Sequence, residues 1–311
     1  MKRNASIELY RILLMYGIVT LHVPYVLGPA FCWENIGLAW CVDGFVFITG
    51  WFGIRFSVRK LALLYGTALV SAFMIEGLAI AFGHGLGDNV FDGVVRHIKG
   101  MWFLHAYAVM MCLAPLVNAV LQSRDWRALV PFSALVFGWG LAVELPIVLK
   151  IIPHPAGIGS FTGLTLLGVY AVARIVRLYD FARLIKTRHI LFALPVLFGL
   201  CIFGDGWLGY YASPIAVLMA AAVFFLFLRI RVPSAIAPMV QFLGASMFPV
   251  YVVHIHPWVL ALIKDTGDRA SGVNHSVVCF GLGLVVFVAT LLFDFPRRLV
   301  VAFVRRFWHA N

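Results

Sequence analysis

Charge is what this sequence has least of. Only 12% of its 311 residues are charged and 13 of them are acidic, whereas an ordinary soluble domain is roughly one-quarter charged. With 63% hydrophobic residues and a mean hydropathy of +0.98, there is too little polar surface to cover a water-facing globule of this length. That shortage excludes the two soluble domains that length alone would suggest, and disorder with them. Cysteine is also sparse. Cys32, Cys41, Cys112, Cys201 and Cys279 are odd in number, widely spaced and mostly set in apolar runs. They form no C-x-x-C pair, so they read as buried structural thiols and not as a disulfide scaffold or a metal site. No cleavable leader is expected either. Lys2 and Arg3 give a basic start, but Glu8 and Arg11 interrupt what would be its apolar core, so the segment is expected to stay as a first span. No internal repeat, low-complexity run or long linker is visible, and one integral membrane domain over 1–311 is expected.

What the chain does have is long apolar runs. A bilayer core of about 30 Å takes roughly 20 apolar residues per helix. Cutting at charged and Pro/Gly-rich breaks predicts an all-α polytopic protein with ten spans near 7–27, 36–56, 61–83, 102–122, 128–149, 158–178, 189–204, 207–228, 239–263 and 276–303. Of the 24 Lys and Arg, 18 fall on the same side as the N-terminus in this cut. Five (Arg96, Lys99, Lys150, Lys264 and Arg269) fall on the other side, and Arg11 lies within the first span. By the positive-inside rule both termini are expected in the cytoplasm. The net charge of +11 is therefore an orientation signal, and no nucleic-acid partner is expected.

Ionisable groups inside spans are costly, about 2.5–3.5 kcal/mol at a helix centre, which makes them functional candidates. The first span carries Glu8, Arg11 and His22. Arg11 and His22 stand eleven residues apart, about three turns, on one helix face and roughly 16 Å from each other. Glu8 shares that face and can pair with Arg11. The plainer alternative is a snorkelling Arg11 and a satisfied core histidine. Asp43 lies in the second span within "CVDGFVFITGWFG", where Gly44, Gly50 and Gly53 permit close helix packing. It can orient an imidazole or simply face water. Glu76, Glu144 and His105 are weaker candidates without an assigned role. His254 and His256 sit in one predicted helix, where their side chains would point about 200° apart, so no metal site is expected of them.

These segments together resemble the acyltransferase-3 family of integral membrane acyltransferases. "RNASIELYRILLMYGIVTLH" is similar to the family's opening, whose hallmark is an Arg and a His separated by ten residues, here Arg11 and His22. "VDGFVFITGWFG", "WFLHAYAVMMCLAPLVN" and "FLGASMFPVYVVHIH" resemble further family segments in order. The resemblance implies transfer of an acyl group, usually acetyl, from cytoplasmic acyl-coenzyme A to a hydroxyl of a cell-envelope or secreted glycan or glycolipid. The location it implies is the bacterial inner membrane. The donor is a substrate, and no permanently bound cofactor is implied. One departure concerns the paired arginines at the start of the family's third span. Here "VRKLALLY" has Arg59 and Lys60, with Leu63 where the second arginine would fall.

Read as residues, the chemistry needs a base for the alcohol, stabilisation of the tetrahedral oxyanion and a held donor. His22 supplies a group that exchanges protons near neutrality, either as a base or as a transient acyl carrier. Arg11, low in the span, suits the donor, and Arg55, Arg59 and Lys60 suit the anionic nucleotide of coenzyme A. The competing class is a multi-span transporter or a lipid or glycan flippase, which would also bury charge; the repeated halves common in transporters are not seen.

Overall fold

The computed structural model describes residues 4–28, 37–123, 127, 163–203, 211, 213–270 and 272–308, and every regular element among them is helical. In chain order the described helices are α1 (Ala5–Leu27), α2 (Trp40–Phe52), α3 (Val58–Ala81), α4 (Val90–Gly100), α5 (Trp102–Ser123), α6 (Gly163–Leu178), α7 (Phe181–Leu184), α8 (Thr187–Phe203), α9 (Pro214–Phe227), α10 (Ala237–Gly244), α11 (Met247–His254), α12 (Pro257–Arg269), α13 (His275–Phe293) and α14 (Phe295–Trp308).

Local chemistry sets many of these boundaries. Asn4 caps α1 by accepting from the Ser6 N–H, and Glu8 lies in the first turn, where the helix dipole favours a carboxylate. Ser213 caps α9 with Pro214 at its first position, and Asn274 caps α13. α2 stops at Gly53, whose φ of +74° lies in the left-handed region that suits glycine.

Among the described residues four helices are long and apolar enough to cross a membrane: Ala5–Leu27, Val58–Ala81, Trp102–Ser123 and His275–Val301. A fifth span results if the α11–α12 pair, bent by 71°, is counted as one. This is fewer than the ten expected. The predicted span at 128–149 lies outside the described residues, and α2, α8 and α9 are shorter apolar helices of 13, 17 and 14 residues. The predicted span at 239–263 is three helices instead. Its last break falls before Pro257, whose ring disfavours helical backbone at His256. The amphipathic α4 was not anticipated, because its polar residues, Asp92, Arg96 and Lys99 among them, interrupt any apolar run.

Backbone proximity divides the chain into two compact units, Met1–Glu34 with Leu64–Gly100 and Val232–Asn311, and Asn35–Leu63 with Met101–Arg231. In the first, α1 is the central element and packs on α10, α11, α12 and α13. Tyr10, Leu14, Val19 and Val23 of α1 are buried, and the Tyr16 hydroxyl donates to the Phe280 carbonyl at 3.1 Å. Gly283 lets α13 approach, since a Cβ there would meet Thr20. α13 turns Leu284, Val285, Val288 and Leu292 outward, an apolar face that suits lipid.

In the second unit α6 packs on α2 and α5, and α9 packs on α2 and α8. Gly50 makes the α2–α6 crossing possible, because a Cβ there would meet the Tyr170 carbonyl and Ala173. A closed polar triangle fixes the chain just beyond α2. The Ile54 N–H donates to the Tyr170 hydroxyl at 3.0 Å, that hydroxyl donates to Asn118 Oδ1 at 2.9 Å, and Asn118 Nδ2 donates to the Ile54 carbonyl at 2.9 Å.

The crossing is testable by paired substitution. Gly50→Ala should destabilise the detergent-purified protein by about 1–3 kcal/mol through overpacking, seen as a lowered thermal midpoint. Gly66→Ala, on a position with open space around it, should leave the midpoint unchanged or slightly raised.

Candidate functional site

The stripe expected on α1 is present. Arg11 Nη1 donates to Glu8 Oε1 at 2.8 Å, with the carboxylate buried and the guanidinium about one-third exposed. Gly244 of α10 makes room for this carboxylate, since a Cβ at that position would collide with it. Arg11 is thus tied within its own helix by a charge-assisted bond.

Three turns further on, the half-buried His22 is held by two groups. Its Nδ1 lies 2.7 Å from the Ile18 carbonyl, which can only accept, so Nδ1 carries the ring proton and donates it. His254 of α11 closes on the same edge, with its Nε2 3.4 Å from His22 Nδ1 and the rings edge-to-face at 5.0 Å. His254 in turn donates from Nδ1 to the Val250 carbonyl at 2.9 Å, which leaves its Nε2 as an acceptor toward His22. Both histidines are therefore fixed as Nδ1–H tautomers. Among the described residues no hydrogen bond reaches His22 Nε2, so its lone pair is available.

Beyond His254 the helix breaks, and His256 leaves it. The Nδ1 of His256 accepts from the Trp258 N–H at 3.3 Å and so caps α12. That leaves Nε2 as the protonated nitrogen, and it donates to Glu76 Oε2 at 2.9 Å, with both side chains fully buried. The other oxygen of Glu76 accepts from the Leu86 N–H at 2.7 Å. Gly93 of α4 faces this carboxylate so closely that any Cβ there would displace it. His97, also on α4, donates from Nε2 to the Val252 carbonyl at 2.8 Å, and its ring lies edge-to-face with His256 at 4.7 Å. Burial pushes the His97 pKa down from 6.5 to about 4, only partly opposed by its bond to Val252, so the ring is neutral at physiological pH.

Among the residues singled out in the sequence, Glu8, Arg11 and His22 lie together on α1 as expected. Asp43 is fully buried on α2, in the other unit. Arg55, Arg59 and Lys60 are exposed on the α2–α3 segment of that unit. His105 is half-buried on α5, and Glu144 lies outside the described residues. Sequence reasoning missed the roles of His254, His256, Glu76 and His97. A signal was present for one of them: Pro257 directly follows His256, which marks a break between the two histidines and removes the single-helix argument that kept them apart.

A histidine kept neutral by burial makes folding stability depend on pH. The unfolded chain takes up the proton near pH 6.5 and the folded chain near 4, so His97 costs stability as pH falls through that window, on the order of 3 kcal/mol at its lower end. His97→Gln keeps an N–H for Val252 but does not titrate. Denaturation at pH 7 and pH 5 should show a smaller acid loss in the variant than in the wild type.

Neither the curated proteins nor the solved structures contain a match to this chain. A family model described as an acyltransferase domain, acyltransferase-3, matches residues 4–294. The match takes in α1 with its Arg11–His22 stripe, the α2–α3 segment and the α11–α12 break that follows His254. The chain belongs to the acyltransferase-3 family of integral membrane acyltransferases.

Proposed function

We propose that the protein is a membrane O-acyltransferase that moves an acyl group, acetyl in the simplest case, from cytoplasmic acyl-coenzyme A to a hydroxyl of a cell-envelope or secreted glycan or glycolipid. Ten spans with both termini in the cytoplasm, in a bacterial inner membrane, is the topology that goes with this reading. The observation that carries it is His22: its Nδ1 proton is committed to Ile18 and flanked by His254, and its Nε2 lone pair is left over.

Nε2 is placed to take the proton of the acceptor hydroxyl as its oxygen attacks the thioester carbonyl. Collapse of the tetrahedral intermediate breaks the C–S bond, and the imidazolium returns the proton to the departing thiolate. The products are the ester and free coenzyme A, and His22 ends neutral. In this reading Arg11, oriented by Glu8, holds the donor with a planar guanidinium. Arg55, Arg59 and Lys60 supply exposed cations for the donor's phosphates. For Asp43 we propose a part as a fixed buried carboxylate; the commitment of His22 Nδ1–H leaves it no orienting role at that atom.

His22→Ala should lower acyl transfer by about 10²–10⁴-fold, the usual worth of a general base, with expression and insertion intact. The assay is transfer of labelled acetyl from acetyl-coenzyme A in purified protein, together with mass spectrometry of envelope glycans. Wild-type acylation by His22→Ala protein would falsify the mechanism. A second experiment addresses the donor. Replacing Arg55, Arg59 and Lys60 together by Gln should raise the KM for acyl-coenzyme A, and saturating donor should restore much of the rate. An unchanged KM in correctly inserted protein would remove these three residues from the donor site.

A further inference from the structure

The group formed by Glu76, His256 and His97 has no part in the reaction above, yet it brings three buried polar side chains together. Glu76 and His256 are completely buried and His97 nearly so. Ordinary packing does not call for this arrangement. A carboxylate and two imidazoles are expensive to bury, and each has its bonds supplied by a different part of the chain. Glu76 comes from α3, Leu86 from the segment after it, His97 from α4 and His256 from the α11–α12 break.

Every one of these bonds bears on the same short piece of backbone. α11 ends at His254, and a helix end leaves carbonyls without partners. His97 takes one of them, Val252. α12 begins at Pro257, and its first N–H groups also need partners; His256 takes that of Trp258 with Nδ1. The proton this leaves on His256 Nε2 goes to Glu76, whose second oxygen is anchored to Leu86. The 71° bend is thus clamped from both sides, immediately beyond the residue whose ring lies against His22. Pro257 fixes its own φ and keeps His256 out of the helical region, but it ties neither helix end to a neighbouring element, so a bend held only by Pro257 would place His254 less firmly.

We propose that Glu76, His256 and His97 are positioning residues for acyl transfer: they fix the α11–α12 break so that His254 is held against His22 and keeps the His22 ring in the tautomer that leaves Nε2 unprotonated. Glu76 and His256 form the central link, and His97 secures the end of α11. The inference rests on His22 as the base and adds how that base is prepared.

Two variants test the central link. His256→Asn keeps a side chain suited to capping α12, but it is too short to reach Glu76. Glu76→Gln removes the charge and leaves a single oxygen for the two N–H groups that Glu76 now accepts. Both are expected to lower kcat about 10- to 100-fold, as small misplacements of catalytic groups do, with the KM for acyl-coenzyme A changed less than about threefold. Histidine 15N NMR of the detergent-solubilised protein gives a readout independent of activity. His22 should appear as the Nδ1–H tautomer in the wild type and as a mixture of tautomers in the variants. A merely structural role would lower yield or thermal midpoint and leave kcat per folded molecule and the His22 tautomer unchanged; that result would overturn the proposal. If His256→Asn does not accumulate, Glu76→Gln, which preserves the side-chain shape, decides the matter alone. His22→Ala run in parallel separates the two levels: an active His22→Ala protein removes the base itself, whereas an inactive one beside fully active Glu76→Gln and His256→Asn removes only the positioning role.

Discussion

In an apolar helical bundle a ring proton must be given to an acceptor inside the protein, because no water waits to take it. The carbonyl one turn back along the same helix is the acceptor always within reach. His22 uses Ile18 and His254 uses Val250 in this way, and this local bond, with the His254 ring closing on the same edge of His22, leaves the far nitrogen of His22 basic. Much of the rest of the first unit follows from it. With both rings committed at Nδ1, His254 meets the Nδ1 edge of His22 in an edge-to-face pair, and the elements that carry them must be held at a matching distance. α1 packs against α10, α11, α12 and α13, and the glycines at 244 and 283 let that packing be close.

The legible part of the site was the part lying within one helix. Arg11 and Glu8 are three residues apart and His22 is eleven from Arg11, so the 3.6-residue period places them on one face without knowledge of any other element. His254 meets His22 across 232 residues of chain, and Glu76 meets His256 across 180. No period connects such pairs. The helical assumption worked against the reader here, because treating 239–263 as one span sets His254 and His256 on opposite faces. The fold was legible in the same measure. The four long apolar helices stand close to the predicted spans at 7–27, 61–83, 102–122 and 276–303. What hydropathy does not register is a helix made of polar and apolar faces, such as α4, or a run of apolar residues broken by backbone chemistry, as at Ser246 and Pro257.

Both units bury acidic side chains, Asp43 in the second and Glu8 and Glu76 in the first, and both close polar groups into small sets. In the second, Asn118, Tyr170 and Ile54 form a closed set with neutral members only, and the exposed cations stand on the segment that set fixes. In the first, the sets include a buried carboxylate: Glu8 with Arg11, and Glu76 with His256. Buried charge raises the cost of leaving any partner out and so makes the arrangement intolerant of small errors. Intolerance of that kind is a fault in a scaffold and an advantage where a base must stay in one tautomer.

α1 contains one proline, Pro24, two residues past His22. A helix is weakest at the turn before a proline, here Thr20–Val23, so any hinge of α1 falls at its far end beside His22, and the turns from Glu8 to Val19 carry no such weak point. In an enzyme of the kind proposed, that helix works as a ruler. It sets a distance of roughly 16 Å between the guanidinium end and the imidazole end, most of it across turns that contain no proline. Much of the reach needed to bring a reactive carbon to the imidazole would then come from the substrate, in a long jointed arm between its anionic head and its acyl group. Selectivity for donors would follow from reach, with arms too short for the ruler excluded whatever their head group.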